Sequence, residues 1–191
     1  NQEKYIKELI DYYKARIPDA KFIIYDNEST DKTVEICKEN GCKVISFSTG
    51  GKMDEKTLIN IRNSCWQNVD TKYVLIIDDD EIVDISQELL NNADWNVNKC
   101  IGYEMFGESN ETLDELHYGV PSLGYSKAVL LNRLEIAKMN FEAGSHKENP
   151  VAKEGFTVKY NTNPVALYHT KWRNPENGLG RAHSIAPRVS E

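Results

Sequence analysis

Residues Tyr73 to Val83 read YVLIIDDDEIV, five mostly β-branched apolar residues that run straight into Asp78, Asp79, Asp80 and Glu81. The unbroken apolar run, bounded before by Asp70-Thr71 and too short to span a membrane, predicts a buried central strand. Carboxylates gathered at its end repel one another and resist desolvation, so a cation or a donor-rich ligand is their simplest partner. Hard oxygen donors suit Mg²⁺ or Mn²⁺, and the carboxyl end of a strand in an open α/β sheet is where ligands bind. The competing reading makes these acids solvated loop residues, or caps for a helix expected near Ser86.

Working back from this strand, Leu58, Ile61, Cys65, Trp66 and Val69 line one side of a helix expected from about Asp54 to Asn68. Before it, Cys42 to Phe47 (CKVISF) reads as a strand, followed by the joint Ser48-Thr49-Gly50-Gly51. Lys21 to Tyr25 (KFIIY) is another strand. It leads through Asp26-Asn27-Glu28-Ser29-Thr30 into a helix that Asn40-Gly41 closes, with Ser29 or Thr30 as the expected N-cap. Tyr5, Ile6, Leu9, Ile10 and Tyr13 repeat at helical spacing from Gln2 to Ala15, and Pro18-Asp19 ends the pattern. Helices alternating with strands predict right-handed crossovers and a doubly wound, mostly parallel sheet flanked by helices. Asp26 then reaches the same sheet edge as Asp78 to Asp80, although turn and cap chemistry alone also explains the Asp26 segment.

Beyond Glu81 the periodicity changes. A short helix at Ser86 to Asn92 is followed by strands at Lys99–Phe106, Lys127–Asn132, Phe156–Tyr160 and Val165–His169. The second half therefore reads as mixed or antiparallel, a region suited to an acceptor pocket. The whole is one domain, with a nucleotide-binding half at 1–84 and a metal and acceptor half at 85–191.

Composition narrows the function. A chain of 191 residues with a net charge of -7 can bury a sizeable core but lacks the dense basic surface that nucleic-acid binding needs. Cys37, Cys42, Cys65 and Cys100 have no C-x-x-C spacing and read as reduced structural thiols. No leader, transmembrane segment or low-complexity run is visible. The expectation is a soluble cytoplasmic protein or domain of a larger one, with peripheral membrane association left open.

The succession IIYDNESTDKTVEI, INIRNSC and YVLIIDDDEIV resembles the nucleotide-binding half of family 2 glycosyltransferases of the GT-A fold, in which an Asp-x-Ser-x-Asp turn, an Arg-Asn pair and an Asp-x-Asp motif occur in this order. YSKAVLLN, FEAGSHKE, ALYHTKWR and GLGRAHSIAPR resemble a narrower subgroup, with Gly-x-His at Gly144-Ser145-His146 and a strand ending in His169.

The resemblance implies a divalent-metal-dependent, inverting transfer of a sugar from a UDP-sugar to a glycan or other hydroxyl acceptor. It implies that Asp26, with Asn27 beside it, contacts the base, that Arg62 helps hold the nucleotide, and that Asp78 contacts the ribose, with Asp79 next to it. It further implies that Asp80 and His169 hold Mn²⁺ or Mg²⁺. Lys171 and Arg173, with Arg181 and Arg188 beyond them, would screen the diphosphate. An inverting transfer needs a base for the acceptor hydroxyl. The family's usual Glu-Asp pair is missing, and Glu142 and His146 are the substitutes. A strand that the family places ahead of the first helix is also not found in the sequence.

Alternatives from other classes remain at this stage. A sugar nucleotidyltransferase also gathers acids at strand ends but carries an early glycine-rich basic loop, of which Gly50-Gly51-Lys52 is only a faint trace. A non-catalytic sugar-binding domain of the same fold is the other.

Overall fold

The computed structural model describes residues 1–52, 54–107 and 112–174. In chain order its first half contains α1 (Ile6–Arg16), β1 (Ile23–Asn27), α2 (Thr33–Glu39), β2 (Lys43–Phe47), α3 (Glu55–Ser64), β3 (Tyr73–Leu75) and β4 (Glu81–Val83). The second half contains α4 (Gln87–Asn91), β5 (Val97–Lys99), β6 (Ile101–Phe106), β7 (Tyr118–Pro121), β8 (Ala128–Asn132), β9 (Ile136–Lys138), β10 (Val151–Ala152) and β11 (Ala166–Trp172). The fold is α/β, as expected.

The helices form where the sequence pattern places them. α1 buries Ile6, Ile10 and Tyr13 on one stripe. Asp54 caps α3 by accepting from Thr57 N at 3.2 Å, and Ser86 caps α4 by accepting from Leu89 N at 3.2 Å. The start of α2 differs from expectation. Ser29 and Thr30 are engaged with Asn1, so Asp31 takes the capping task and accepts from Thr33 N at 3.0 Å. Gly41, at φ 78°, supplies the left-handed turn that ends α2.

β1 and β2 pair in parallel across the α2 crossover, Ile23 opposite Lys43 through Asn27 opposite Phe47. β3, β8 and β5 form a three-stranded antiparallel sheet in which every residue of β8 is buried. The four-stranded sheet β4-β11-β6-β7 mixes both senses: β11 runs antiparallel to β4 and parallel to β6. The second half is thus mixed, as its changed periodicity indicates. The pairing of β3 stops at Leu75, although Ile76 N still bonds Val129 O at 2.8 Å. The acids therefore occupy a turn between two short strands, with the chain resuming as β4. Phe156 to Tyr160 does not form the expected strand. Asn96 captures its backbone instead, accepting from Lys159 N and donating to the Thr157 carbonyl, and only Tyr160 bridges to Val97.

The core lies between these layers. Tyr13, Val83, Ile85, Trp95, Leu130 and Leu167 form one cluster, and Trp66, Val97, Leu131, Ile136, Met139 and Phe141 another. Each such side chain contributes about 1.5–3 kcal/mol by leaving water. Val83 N donates to the buried Tyr13 hydroxyl at 2.8 Å, which ties α1 to the strand that follows the acid turn. All four cysteines are free, and burial pushes the Cys100 thiol up to about 12.

Candidate active site

The acid turn is built by its flanking strands. Glu81 N donates to Asp78 O at 3.2 Å, closing the turn, and Asp78 N reaches Glu81 Oε2 at 3.3 Å. Arg62, on α3, donates from Nη2 to Asp78 Oδ1 at 2.6 Å. The other guanidinium nitrogen, Nη1, is buried without a hydrogen-bond partner, 3.8 Å from Glu55 Oε1. Asp79 is exposed, whereas the Asp80 carbonyl accepts from Thr170 N at 2.7 Å and from Thr170 Oγ1 at 3.0 Å.

These last bonds deliver β11 to the turn. In the sheet register His169 lies opposite Glu81 on β4 and opposite Glu104 on β6. Its Nδ1 is 2.7 Å from Glu104 Oε1, and its Nε2 is 3.5 Å from Asp80 Oδ2. Burial alone would lower the pKa of His169, but the hydrogen bond and charge of Asp80, joined by those of Glu104, raise it above the usual imidazole value. Tyr125 stacks on the imidazole with ring centroids 3.8 Å apart and planes 17° apart. Burial, then the charges of Glu104 and Asp80, push the Tyr125 hydroxyl up to about 12. Tyr125 also makes an edge contact with the His146 ring, with centroids 6.4 Å apart and planes at 61°.

Asp80 and His169 thus face each other, with Glu104 orienting the imidazole from behind as a carboxylate does behind a metal-bound histidine. Among the described residues no three His, Cys, Asp or Glu side chains gather into a cage. Such a pair still fits Mg²⁺ or Mn²⁺, because these ions are bound through one or two carboxylates with substrate phosphates completing the shell. A cleft lined by Gln2, Tyr5, Asp79, Asp80, Lys171 and Arg173 opens beside it. Lys171 Nζ lies 5.2 Å from the Trp172 ring centroid. Arg173 is buried, donating from Nη1 to Glu8 Oε2 at 2.6 Å and lying over the Tyr5 ring at 3.8 Å.

The remaining predicted site residues stand elsewhere. Asp26, at the end of β1, accepts from Ser29 N at 3.3 Å, and Asn27 Nδ2 donates to Thr49 Oγ1 at 3.0 Å. Glu142 is exposed and 3.9 Å from Lys147 Nζ. His146 is exposed on the loop after Gly144, whose φ of 62° brings its Cα against the imidazole: a Cβ there would meet the ring at 2.5 Å. Arg181 and Arg188 lie outside the described residues. Sequence reasoning missed Glu104, Tyr125 and Thr170. Tyr125 opens the stretch YSKAVLLN, and its one signal is an aromatic just ahead of a buried strand.

An acid turn gripped by an arginine, with a carboxylate-backed histidine beside it, is a site suited to a polar, charged ligand. Residues 1–142 match the family described as Glycosyl transferase family 2, and the chain belongs to that family. It is therefore a transferase acting in glycosyl transfer. A protein named RfbJ from Shigella flexneri is 31% identical over 94 residues, covering 48% of this chain and 68% of RfbJ. The family match takes in Asp26, Arg62, the acid turn and Tyr125, and ends before His146 and His169. No helix among the described residues is long and apolar enough to cross a membrane.

Proposed function

We propose that the protein transfers a sugar from a UDP-sugar to a hydroxyl of a glycan or glycoconjugate, with inversion and with a divalent cation. The observation that carries this reading is the apposition of Asp80 and His169 with Glu104 behind the imidazole. Asp80 and His169 would hold Mn²⁺ or Mg²⁺, whose charge offsets that of a diphosphate beside several carboxylates. Asp26 accepts from the uracil imide, Asn27 flanks it, and Asp78 holds the ribose, with Arg62 fixing the Asp78 carboxylate and Asp79 at the cleft mouth. Lys171 and Arg173 both line the cleft and supply positive charge to it, Arg173 anchored by Glu8.

In the reaction the acceptor oxygen attacks the anomeric carbon from the face opposite the diphosphate. The new carbon–oxygen bond forms as the bond to the β-phosphate oxygen breaks, and the electron pair leaves on the diphosphate. The acceptor proton passes to a base, for which Glu142 and His146 are the candidates. The geometry favours His146: it connects through Tyr125 to His169, whereas Glu142 faces Lys147.

The test is hydrolysis or transfer with a panel of UDP-, GDP- and CMP-sugars in Mn²⁺. Turnover confined to UDP-sugars and lost on chelation is expected. Turnover of CMP-sugars, or full turnover in chelator, contradicts the reading.

A further inference from the structure

Lys127, at the entry to β8, plays no part in the chemistry above, yet its side chain is only 3% exposed and its Nζ lies 2.6 Å from Glu81 Oε1, which belongs to a side chain 2% exposed. A buried cation is costly to desolvate and persists only where its partners are fixed. Its second bond goes to the Gly144 carbonyl, at 3.2 Å. Gly144 is held from the other side as well, because its N–H donates to Glu55 Oε1 at 2.9 Å. Glu55 faces Arg62, Arg62 binds Asp78, and the Asp78 N–H returns to Glu81. The contacts close a ring that joins the acid turn to the Gly144 loop.

From this ring we infer that Lys127 is a positioning residue for glycosyl transfer, clamping the loop that carries His146 against the turn that carries Asp78 to Asp80. The inference rests on the donor-site reading of that turn. Glu81 is the other half of the clamp: burial pushes its carboxyl up while the adjacent Lys127 pulls it down, and its free oxygen meets Asp78 N. Gly144 is the point of attachment because its left-handed backbone lets the His146 ring fold directly over its Cα. Removing the clamp therefore frees the His146 loop, while Asp80 keeps its separate bonds from Thr170 N and Oγ1 and His169 keeps Glu104.

Lys127→Met alone strands the Glu81 carboxylate and confounds loop release with lost stability, so the decisive protein is Lys127→Met/Glu81→Gln, in which an amide oxygen still accepts from Asp78 N and no buried charge is orphaned. Hydrogen exchange on the full chain is read over residues 142–147, alongside calorimetry with UDP and Mn²⁺ and hydrolysis of UDP-glucose, UDP-galactose and UDP-N-acetylglucosamine. Exchange in that segment should quicken by about tenfold or more while β8 stays protected. UDP affinity should stay within about threefold while kcat falls by about thirtyfold or more, a split that a merely structural role would not produce. Glu55→Ala, which cuts the half-exposed second tether, should loosen the same segment. Unchanged exchange at 142–147 in the folded double variant overturns the clamp, and a loosened loop with unchanged kcat overturns its role in positioning. A wild-type protein that neither binds UDP nor turns over any of these sugars breaks the donor-site reading instead, and exchange alone then decides whether Lys127 holds the loop.

Discussion

The turn after β1 and the turn after β3 each set an acid at the end of a strand, but they are held in opposite ways. At the first, the buried Asp26 accepts locally from Ser29 N, while Asn27 bonds Thr49 and Ser48 bonds Glu28 between the ends of the paired strands β1 and β2. At the second, Asp78 is held by Arg62, Glu81 by the buried Lys127 and Asp80 by Thr170, from three other elements or their borders. The first turn is held by hydrogen bonds within itself, to Asn1 and to the end of β2, and the second by ion pairs and the packing of β4, β8 and β11. Substitutions at the first should alter ligand preference without harming the fold. At the second, the buried ion pair and the ligand-facing groups should separate into stability effects and binding effects.

The largest expected effect is at the buried pair. Lys127→Met should destabilise the protein by about 3–5 kcal/mol in denaturant titration, because an unpaired buried carboxylate remains. A loss under about 1 kcal/mol would mean that water reaches Glu81, and the second turn would then be no better anchored than the first.

Next comes Glu104→Gln, which keeps the shape beside His169 but removes the carboxylate behind it. Mn²⁺-dependent UDP affinity should weaken by about ten- to a hundredfold, with little change in melting temperature. An unchanged affinity would make Glu104 a structural partner only.

At the first turn, Asp26→Asn should reduce the preference for UDP over CDP. A single hydrogen bond to the uracil imide supports a discrimination of roughly 1–3 kcal/mol. Selectivity that survives the substitution would remove Asp26 from the base site, and a large loss of stability would erase the contrast between the turns.

The smallest effect is a tilt in stability with pH. His169 has a folded-state pKa raised by Asp80 and Glu104, so in metal-free protein it contributes stability that is fully present below its unfolded pKa of about 6.5. That contribution is lost as pH rises through the folded value. In chelator, the melting-temperature difference between wild type and His169→Gln should shrink from pH 6 upward. A difference that grows instead would show the imidazole to be held neutral.

How much of this was legible in the sequence follows from the same contrast. Contiguous signals read best: the helical stripe of α1 depends only on neighbours, and the apolar run into Asp78 does form a strand, although β3 is a half-buried edge strand antiparallel to β8 and not a buried central one. Strand-terminal His169 emerged through the subgroup resemblance, and its apposition to Asp80 follows from β11 lying beside β4. Its partner Glu104 was not legible, because only the parallel register of β6 and β11 brings together residues 65 apart. Lys127 reads as an ordinary charged residue before a strand until Glu81 is seen to turn inward. Arg173 reads as a free cation until α1 supplies Glu8, 165 residues earlier in the chain. Phe156 to Tyr160 shows the reverse failure: its composition suits a strand, but Asn96 offers its backbone a competing set of partners.

Whether the Asp80 and His169 pair forms a metal-dependent nucleotide site is decided by calorimetry of UDP binding. Wild-type protein should bind UDP in Mn²⁺ and lose at least about a hundredfold in affinity in chelator, since bringing a diphosphate to Asp78, Asp79 and Asp80 without a cation opposes like charges. Asp80→Ala should bind UDP weakly and equally in both buffers while keeping its melting temperature. Equal affinity of the wild type with and without Mn²⁺, or an Asp80→Ala protein that retains the Mn²⁺ dependence, would contradict the account.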